Sequence, residues 1–309
     1  MNPAYRLFVF ERVWATVDRE YIYEGFGGVD WDAAHSKYRR AALSVDDNAE
    51  FYKLLDDMIL DLRDQHSVYL APWDSCEEDS FHAGERINDV PNYLPIVSRL
   101  EDYPEVLYID IPSFDSNKVP EVLEEQLELA LAKGEVSSVV LDMRHNYGGY
   151  LSSAFKVLGQ FTSGKLGYKY DKRGQYPVVQ RKGSFYTELE HLPIVVLVDS
   201  RTHSAAEITA GVLQAERGAL VVGETPSAGN TEMLLPFDYR DGSRLWLAVG
   251  GFTLKSGHNF ESVGVVPDVM VDDMLVGLDL VNDDIVMTRA LEALGVIFPI
   301  QAEANVTLP

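Results

Sequence analysis

The 309 residues, 46% of them hydrophobic, suffice to bury a full core and predict one large domain with a smaller companion, which excludes a disordered tail. A formal net charge of -23 excludes nucleic acid and anionic membrane surfaces as partners, because both demand clustered Lys and Arg. The single Cys76, in the acidic stretch DSCEED, excludes an internal disulfide, and no Cys/His cluster has zinc-ligand spacing.

The opening MNPAYRLFVFERVWATV sets Glu11 and Arg12 after a very short apolar run, and so reads as neither a secretory signal nor a membrane anchor. The expectation is a soluble chain, either cytoplasmic or exported with a leader removed. Apolar residues then recur at three- and four-residue spacing in YRLFVFERVWATVDREY, WDAAHSKYRRAAL and NAEFYKLLDDMILDLRD, which predicts three helices, the third capped by Asp46 or Asp47. These form an expected helical subdomain over 1–71. A polar, acidic, weakly periodic segment makes 72–104 a linker.

From 105 to 309 the pattern alternates. EVLYIDIPSF predicts a strand, VPEVLEEQLELALAKG a helix closed by Gly134, SSVVLDMR a strand and GGYLSSAFKVLGQF a helix. LPIVVLVDS and SAAEITAGVLQAERG repeat the unit, and ALVVGET adds a strand. Such βαβ alternation predicts an α/β fold around a mostly parallel sheet. A late antiparallel hairpin is expected in EMLLPFDYRDGSRLWLAVGGF with Asp241-Gly242 at its turn, then a short strand in GVVPDVMV and a closing helix in DDIVMTRALEALG.

Three places hold residue types suited to chemistry. In LRDQHS, Asp64, His66 and Ser67 follow the third helix, where a histidine serves as a base or as an ordinary helix-end residue. In VVLDMRHNYGGYL a buried strand runs into Gly148-Gly149, whose N–H groups, unobstructed by side chains at a helix start, suit an oxyanion hole or simply a tight turn. In DSRTHSAAEI, Ser204 opens a helix either as an N-cap or as a nucleophile at the mouth of the sheet. Ala205 would present its N–H beside that hydroxyl. Glu207, three residues after Ser204, reads as a capping-box residue rather than an acid catalyst, and His203 diverges from its neighbour Ser204 too far to be its base.

Taken in order, LRDQHS, YIDIPSF, VVLDMRHNYGGYL, VLVDSRTHSAAEI, VVGET and ESVGVVPDVMV resemble the carboxyl-terminal-processing peptidases and tricorn-core proteases, a serine peptidase family of the ClpP/crotonase-like fold. The resemblance implies Ser204 as nucleophile, His66 as general base, Gly149 with Gly148 beside it and Ala205 as oxyanion donors, and Glu261 as the acid that orients the network, with Asp64 and Ser67 in supporting places. Its implied activity is hydrolysis of a peptide or protein substrate through an acyl-enzyme, of the tail-specific or tricorn-core type. Such acyl transfer needs no metal or organic cofactor, and none is expected. Assembly into an oligomer is open to such a chain.

Two departures from the pattern matter. Members with a serine-lysine pair carry the lysine about 25 residues after the serine, whereas TPSAGNTE here puts Gly229 and Asn230 at that place and leaves Lys255 in another segment, so the histidine branch fits better. Between Pro72 and Glu105 there is no room for a PDZ module, which removes β-augmentation on such a module as the route of substrate capture. Photoreceptor retinoid-binding proteins resemble the same family, and the rival expectation is a carrier with a pocket lined by Trp246, Phe252 and Phe260. Thioester chemistry is a third expectation, on fold analogy alone.

Overall fold

The computed structural model describes residues 1–64, 66–74, 93–271 and 284–297. Cys76 lies outside them. Helix α1 (Pro3–Glu20) opens where Asn2 accepts the Tyr5 N–H, with Pro3 in the first turn, where a missing N–H costs nothing. Helix α2 (Trp31–Ser44) opens on Asp30, whose carboxylate accepts from Ala33, and α3 (Asn48–Leu60) follows. Asp47 stands at the N-cap position of α3 without accepting a side-chain bond there, so that expected cap is one of place only.

After α3 come β1 (Val68–Leu70), β2 (Ile96–Arg99), β3 (Val106–Asp110), α4 (Val119–Leu131), β4 (Ser138–Asp142) and α5 (Leu151–Leu158). A hairpin of β5 (Gly164–Asp171) and β6 (Gly174–Gln180) leads through the single turn α6 (Tyr186–Leu189) to β7 (Ile194–Leu197) and α7 (Ala205–Val212). The chain ends its described course with β8 (Leu220–Gly223), β9 (Met233–Asp238), β10 (Arg244–Leu254), β11 (Val269–Met270) and α8 (Ile285–Ala293).

These elements make two compact units: residues 1–87, 167–178 and 231–259 in the first, and 88–166, 179–230 and 260–309 in the second. The division departs from the expected 1–71, 72–104 and 105–309. Its cause is burial: the apolar stripes of the three helices, with Phe10, Val13, Phe51 and Leu55 fully enclosed, share one core with Leu245, Leu247 and Ala248 of β10. A helical layer of this kind needs a sheet to cover. Its sheet has the order β1-β10-β5-β6, with β9 also paired to β10 as the expected antiparallel hairpin. The β5-β6 hairpin is not announced by the sequence, because YKYDKRGQYPVVQ runs from four half-buried residues into six exposed ones and shows no alternating apolar face.

The second unit holds the predicted α/β core. Its sheet runs β11-β8-β7-β4-β3-β2, parallel throughout except for β2, which lies antiparallel to β3 at the edge. Every residue of β4 and β7 is buried, as in a parallel sheet covered on both faces. On one face Val140, Val195, Leu197 and Val222 pack with Val286, Met287, Ala290 and Leu291 of α8. Since β4 and β7 are adjacent and parallel, the loops that follow them emerge side by side at the carboxyl end of the sheet, where α/β folds place their sites.

Candidate active site

Those two loops are bolted together. Thr202, fully buried, accepts the Asp199 N–H and donates its hydroxyl to the Met143 carbonyl at 2.9 Å. The His203 N–H donates to the Asn146 carbonyl at 2.8 Å, and Asp199 accepts the His145 N–H. The turn after β7 is thus held to the turn after β4 before either delivers a functional group.

Ser204 follows with φ of 52° and φ's partner ψ of -118°, whereas an ordinary N-cap takes extended geometry. A non-glycine residue with positive φ needs surrounding structure to over-determine it, and such strain gathers at functional positions. The enforcing group is Glu207, fully buried in α7, all eight residues of which are buried. Its carboxylate accepts the Ser204 N–H at 2.9 Å, the Ser227 hydroxyl at 2.7 Å, and the Gly229 and Asn230 N–H groups at 2.6 and 2.9 Å. Burial pushes its pKa upward while these four bonds pull it down. Glu207 is the expected cap and, beyond that, the pin joining Ser204 to the 227–230 loop. The capping-box spacing showed only the first of these roles.

The glycines divide their work. Gly148, at φ +91°, is buried and donates its N–H to the Asn146 side chain at 2.8 Å. Its bare α-carbon lets the turn approach the serine: a Cβ there would stand 2.7 Å from the Ser204 Cβ and 3.0 Å from the Ala205 nitrogen. Gly149, at φ +128°, is exposed and backs onto Phe114 and Asp115 so closely that no side chain fits. The flanking bonds, Phe114 N–H to the Gly148 carbonyl and Tyr150 N–H to the Phe114 carbonyl, leave the Gly149 N–H out of the ladder. Ala205 is the first residue of α7, so its N–H has no intrahelical acceptor.

Glu261 also belongs to this unit. It sits half-buried in a turn where Gly264 donates to the Phe260 carbonyl and Ser262 to the Gly229 carbonyl, and the adjoining Val265 N–H donates to the Ser227 hydroxyl at 2.6 Å. The segment bearing Glu261 is therefore tied to the loop that Glu207 pins.

Asp64, His66 and Ser67 belong to the first unit. Asp64 accepts the N–H groups of His66 and Ser67 on one carboxylate oxygen at 2.9 and 2.5 Å, which makes it the cap of the turn that carries His66. Ser67, buried, accepts the Ala248 N–H at 3.1 Å and so fastens β1 to β10. The carboxylate that stands at the His66 imidazole within this unit is Glu232, 3.9 Å from Nε2. Its side chain is 3% exposed against 12% for His66, and its other oxygen accepts the Tyr23 hydroxyl. Nearby, burial and the charges of Asp64 and Glu232 push the Tyr21 phenol well above its usual range. Sequence reading quoted Glu232 in TPSAGNTE and passed over it, since a lone glutamate at a strand start carries no signal.

Phe252 and Phe260, offered as lining for a carrier pocket, are spent in packing. Phe252 lies against the α-carbon of Gly167 in one unit, and Phe260 against Gly211 in the other. No helix among the described residues is long and apolar enough to cross a membrane.

Residues 105–271 match the model of peptidase family S41, and residues 3–60 match the tricorn protease C1 domain. A chloroplastic carboxyl-terminal-processing peptidase 2 of Arabidopsis thaliana is 31% identical over 56% of this chain and 35% of its own length. A carboxyl-terminal-processing protease of Synechocystis is 30% identical over 59% of this chain and 42% of its own. The chain thus spans well under half the length of these relatives. Among solved structures, a photosystem II D1 C-terminal processing protease superposes with TM-score 0.69 at 19% identity, over 86% of this chain and 93% of the other. The tricorn protease gives 0.58 at 15% identity over 94% and 36%. These likenesses carry the fold, and the family match covers the strand-turn-helix junctions around Gly149 and Ser204 as well as the Glu261 turn. With more than half of its length under that model, the chain belongs to peptidase family S41.

Proposed function

We propose that the chain is a serine peptidase in which Ser204 is the nucleophile and His66 the general base. The observation that carries the reading is the backbone of Ser204, held at φ of 52° with its N–H given to a fully buried glutamate, where α7 opens and the Ala205 N–H has no intrahelical acceptor. An N-cap alone would need neither the strain nor the neighbours.

The chemistry follows from those groups. His66 takes the hydroxyl proton as Ser204 attacks the scissile carbonyl, and the N–H groups of Gly149 and Ala205 bind the oxygen that becomes negative. His66 then returns the proton to the leaving amine, which departs and leaves an ester on Ser204. Water, deprotonated by the same imidazole, releases the acyl group and restores the hydroxyl. An imidazole suits both transfers near neutral pH without the desolvation a lysine would need.

Glu261 is proposed as the acid of the network, supported by its place before the Gly-Val-Val-Pro-Asp stretch and by the bonds fixing its turn. The substrate is a peptide or unfolded protein segment, and cleavage near carboxyl termini, the property named in the relatives, is the finer proposal. The test is labelling by a fluorophosphonate together with turnover of a fluorogenic peptide. Both vanish in Ser204→Ala and fall sharply in His66→Ala. A folded wild-type protein that neither labels nor cleaves defeats the reading.

A further inference from the structure

His66 needs a partner that fixes which ring nitrogen holds a proton, and the first unit contains one that the family pattern did not supply. We propose that Glu232 is a positioning residue for His66, itself held by the Tyr23 hydroxyl. The inference rests on His66 being the base.

Four observations within that unit converge. The Oε2 of Glu232 lies 3.9 Å from His66 Nε2, inside ion-pair reach. The carboxylate is nearly sealed from solvent, at 3% exposure, where its field on the imidazole is weakly screened. Its second oxygen accepts from Tyr23, which sets the rotation of the carboxylate plane. Asp64, the rival acid within the first unit, has one oxygen committed to the His66 and Ser67 backbone and is occupied as a turn cap. Within the first unit, titratable groups around Glu232 include His66, Tyr23 and Tyr21, with Asp64 beside Tyr21.

At 3.9 Å the contact is one of charge, longer than a hydrogen bond, and a buried carboxylate on that side of the imidazole favours the proton on the nearer nitrogen and the lone pair on the other. It also favours the imidazolium that forms when the nucleophile's proton arrives. Glu232 thereby acts through His66 and touches no reacting atom. The position falls in the loop whose lysine is missing here: where the serine-lysine members carry a base, this chain carries, two to three residues later, a carboxylate suited to supporting an imidazole.

The test compares Glu232→Gln, Glu232→Asp, Tyr23→Phe and Glu261→Gln by peptide turnover from pH 5 to 9, with circular dichroism as the folding check. Expected for Glu232→Gln is a fall in kcat on the order of tenfold to a hundredfold with KM within about twofold, and an acid limb of kcat/KM displaced to lower pH by about one unit. Glu232→Asp recovers part of the rate, and Tyr23→Phe gives a smaller displacement in the same direction. A Glu232→Gln protein with wild-type kcat and an unmoved acid limb overturns the proposal. If that variant does not fold, an acid limb unmoved in both Glu232→Asp and Tyr23→Phe overturns it instead. Full turnover by His66→Ala would defeat the underlying assignment of the base, a different outcome from either.

Discussion

The α-carbon of Gly148 is pressed against the side chain of Ser204: a Cβ added there would stand 2.7 Å from the serine Cβ, 2.8 Å from the His203 carbonyl and 3.0 Å from the Ala205 nitrogen. The contact brings the strand-to-glycine turn and the Ser204 turn to one spot, and only glycine permits it. The Gly148 N–H goes to the Asn146 side chain, and its bare α-carbon is what lets the two turns meet.

Gly148→Ala is therefore expected to fold and to lose activity. The new methyl, at φ +91°, displaces the serine turn by a few tenths of an ångström and misaligns both donors. Losing one such donor costs about 10²-fold to 10³-fold in rate, so labelling by a fluorophosphonate should slow by at least the order of 10²-fold. Labelling at the wild-type rate in a folded Gly148→Ala protein would mean that the contact has no bearing on the chemistry.

Glu207 is the next position with an unambiguous direction. Glu207→Ala strands the Ser204, Gly229 and Asn230 N–H groups and the Ser227 hydroxyl in a buried site, and should cost about 3–5 kcal/mol. Glu207→Gln keeps one acceptor and turns an N–H₂ group toward donors, for a loss of about 2 kcal/mol. Urea midpoints rank the three proteins. Equal midpoints for wild type and Glu207→Gln would show that the four bonds do not require a carboxylate.

Asp110 supplies a pH dependence. It is the register partner of Asp142 across β3 and β4, and Arg144 gives its guanidinium to Asp142 at 2.6 Å and Asp284 at 2.8 Å. Burial first, and the Asp142 charge second, raise the Asp110 pKa from 3.8 to about 6. A carboxyl whose folded pKa is raised contributes its stability below the unfolded value near 4 and loses it as pH climbs to about 6. Asp110→Asn should leave stability at pH 4 nearly unchanged and raise it by about 1 kcal/mol at pH 7, after allowing for solvent and Arg144. Stability curves for the two proteins that stay parallel from pH 4 to 7 would refute this.

How far these features were readable from residues alone varies with the range of the interaction. The βαβ core was legible because β4 and β7 are short apolar runs bounded by turns, and the helices carry clean three-and-four spacing. The places of Ser204 and Gly149 at strand-to-helix junctions were legible because such a junction is a local pattern. The shared core of β10 with helices some two hundred residues earlier in the chain was not, since no local signal announces such a partnership. Asn146, Glu207 in its full role and Glu232 were missed for the same reason: each is defined by acceptors or donors brought to it from other segments. Adjacent glycines look alike in sequence, so the bond from the Gly148 N–H to the Asn146 side chain has no local signal.

Ser67 separates the two kinds of evidence most sharply. Its place beside His66 suggested a share in the catalytic network, whereas its hydroxyl accepts the Ala248 N–H where β1 joins β10. That amide is buried, so removing the acceptor leaves it unpaired, at a cost of about 1–2 kcal/mol. Ser67→Ala should lower the urea midpoint accordingly while each folded molecule keeps its labelling rate and its pH profile. The register of β1 on β10 fixes where the chain leaves the sheet to reach His66, so a larger loss of strand order would reach the imidazole as well. Comparison with Asp64→Asn resolves the matter, because that change weakens the turn on the other side of His66 without touching the strand bond. If Ser67→Ala is as stable as the wild type and Ser204 in it labels a hundredfold more slowly, the hydroxyl belongs to the chemistry and the strand bond is incidental.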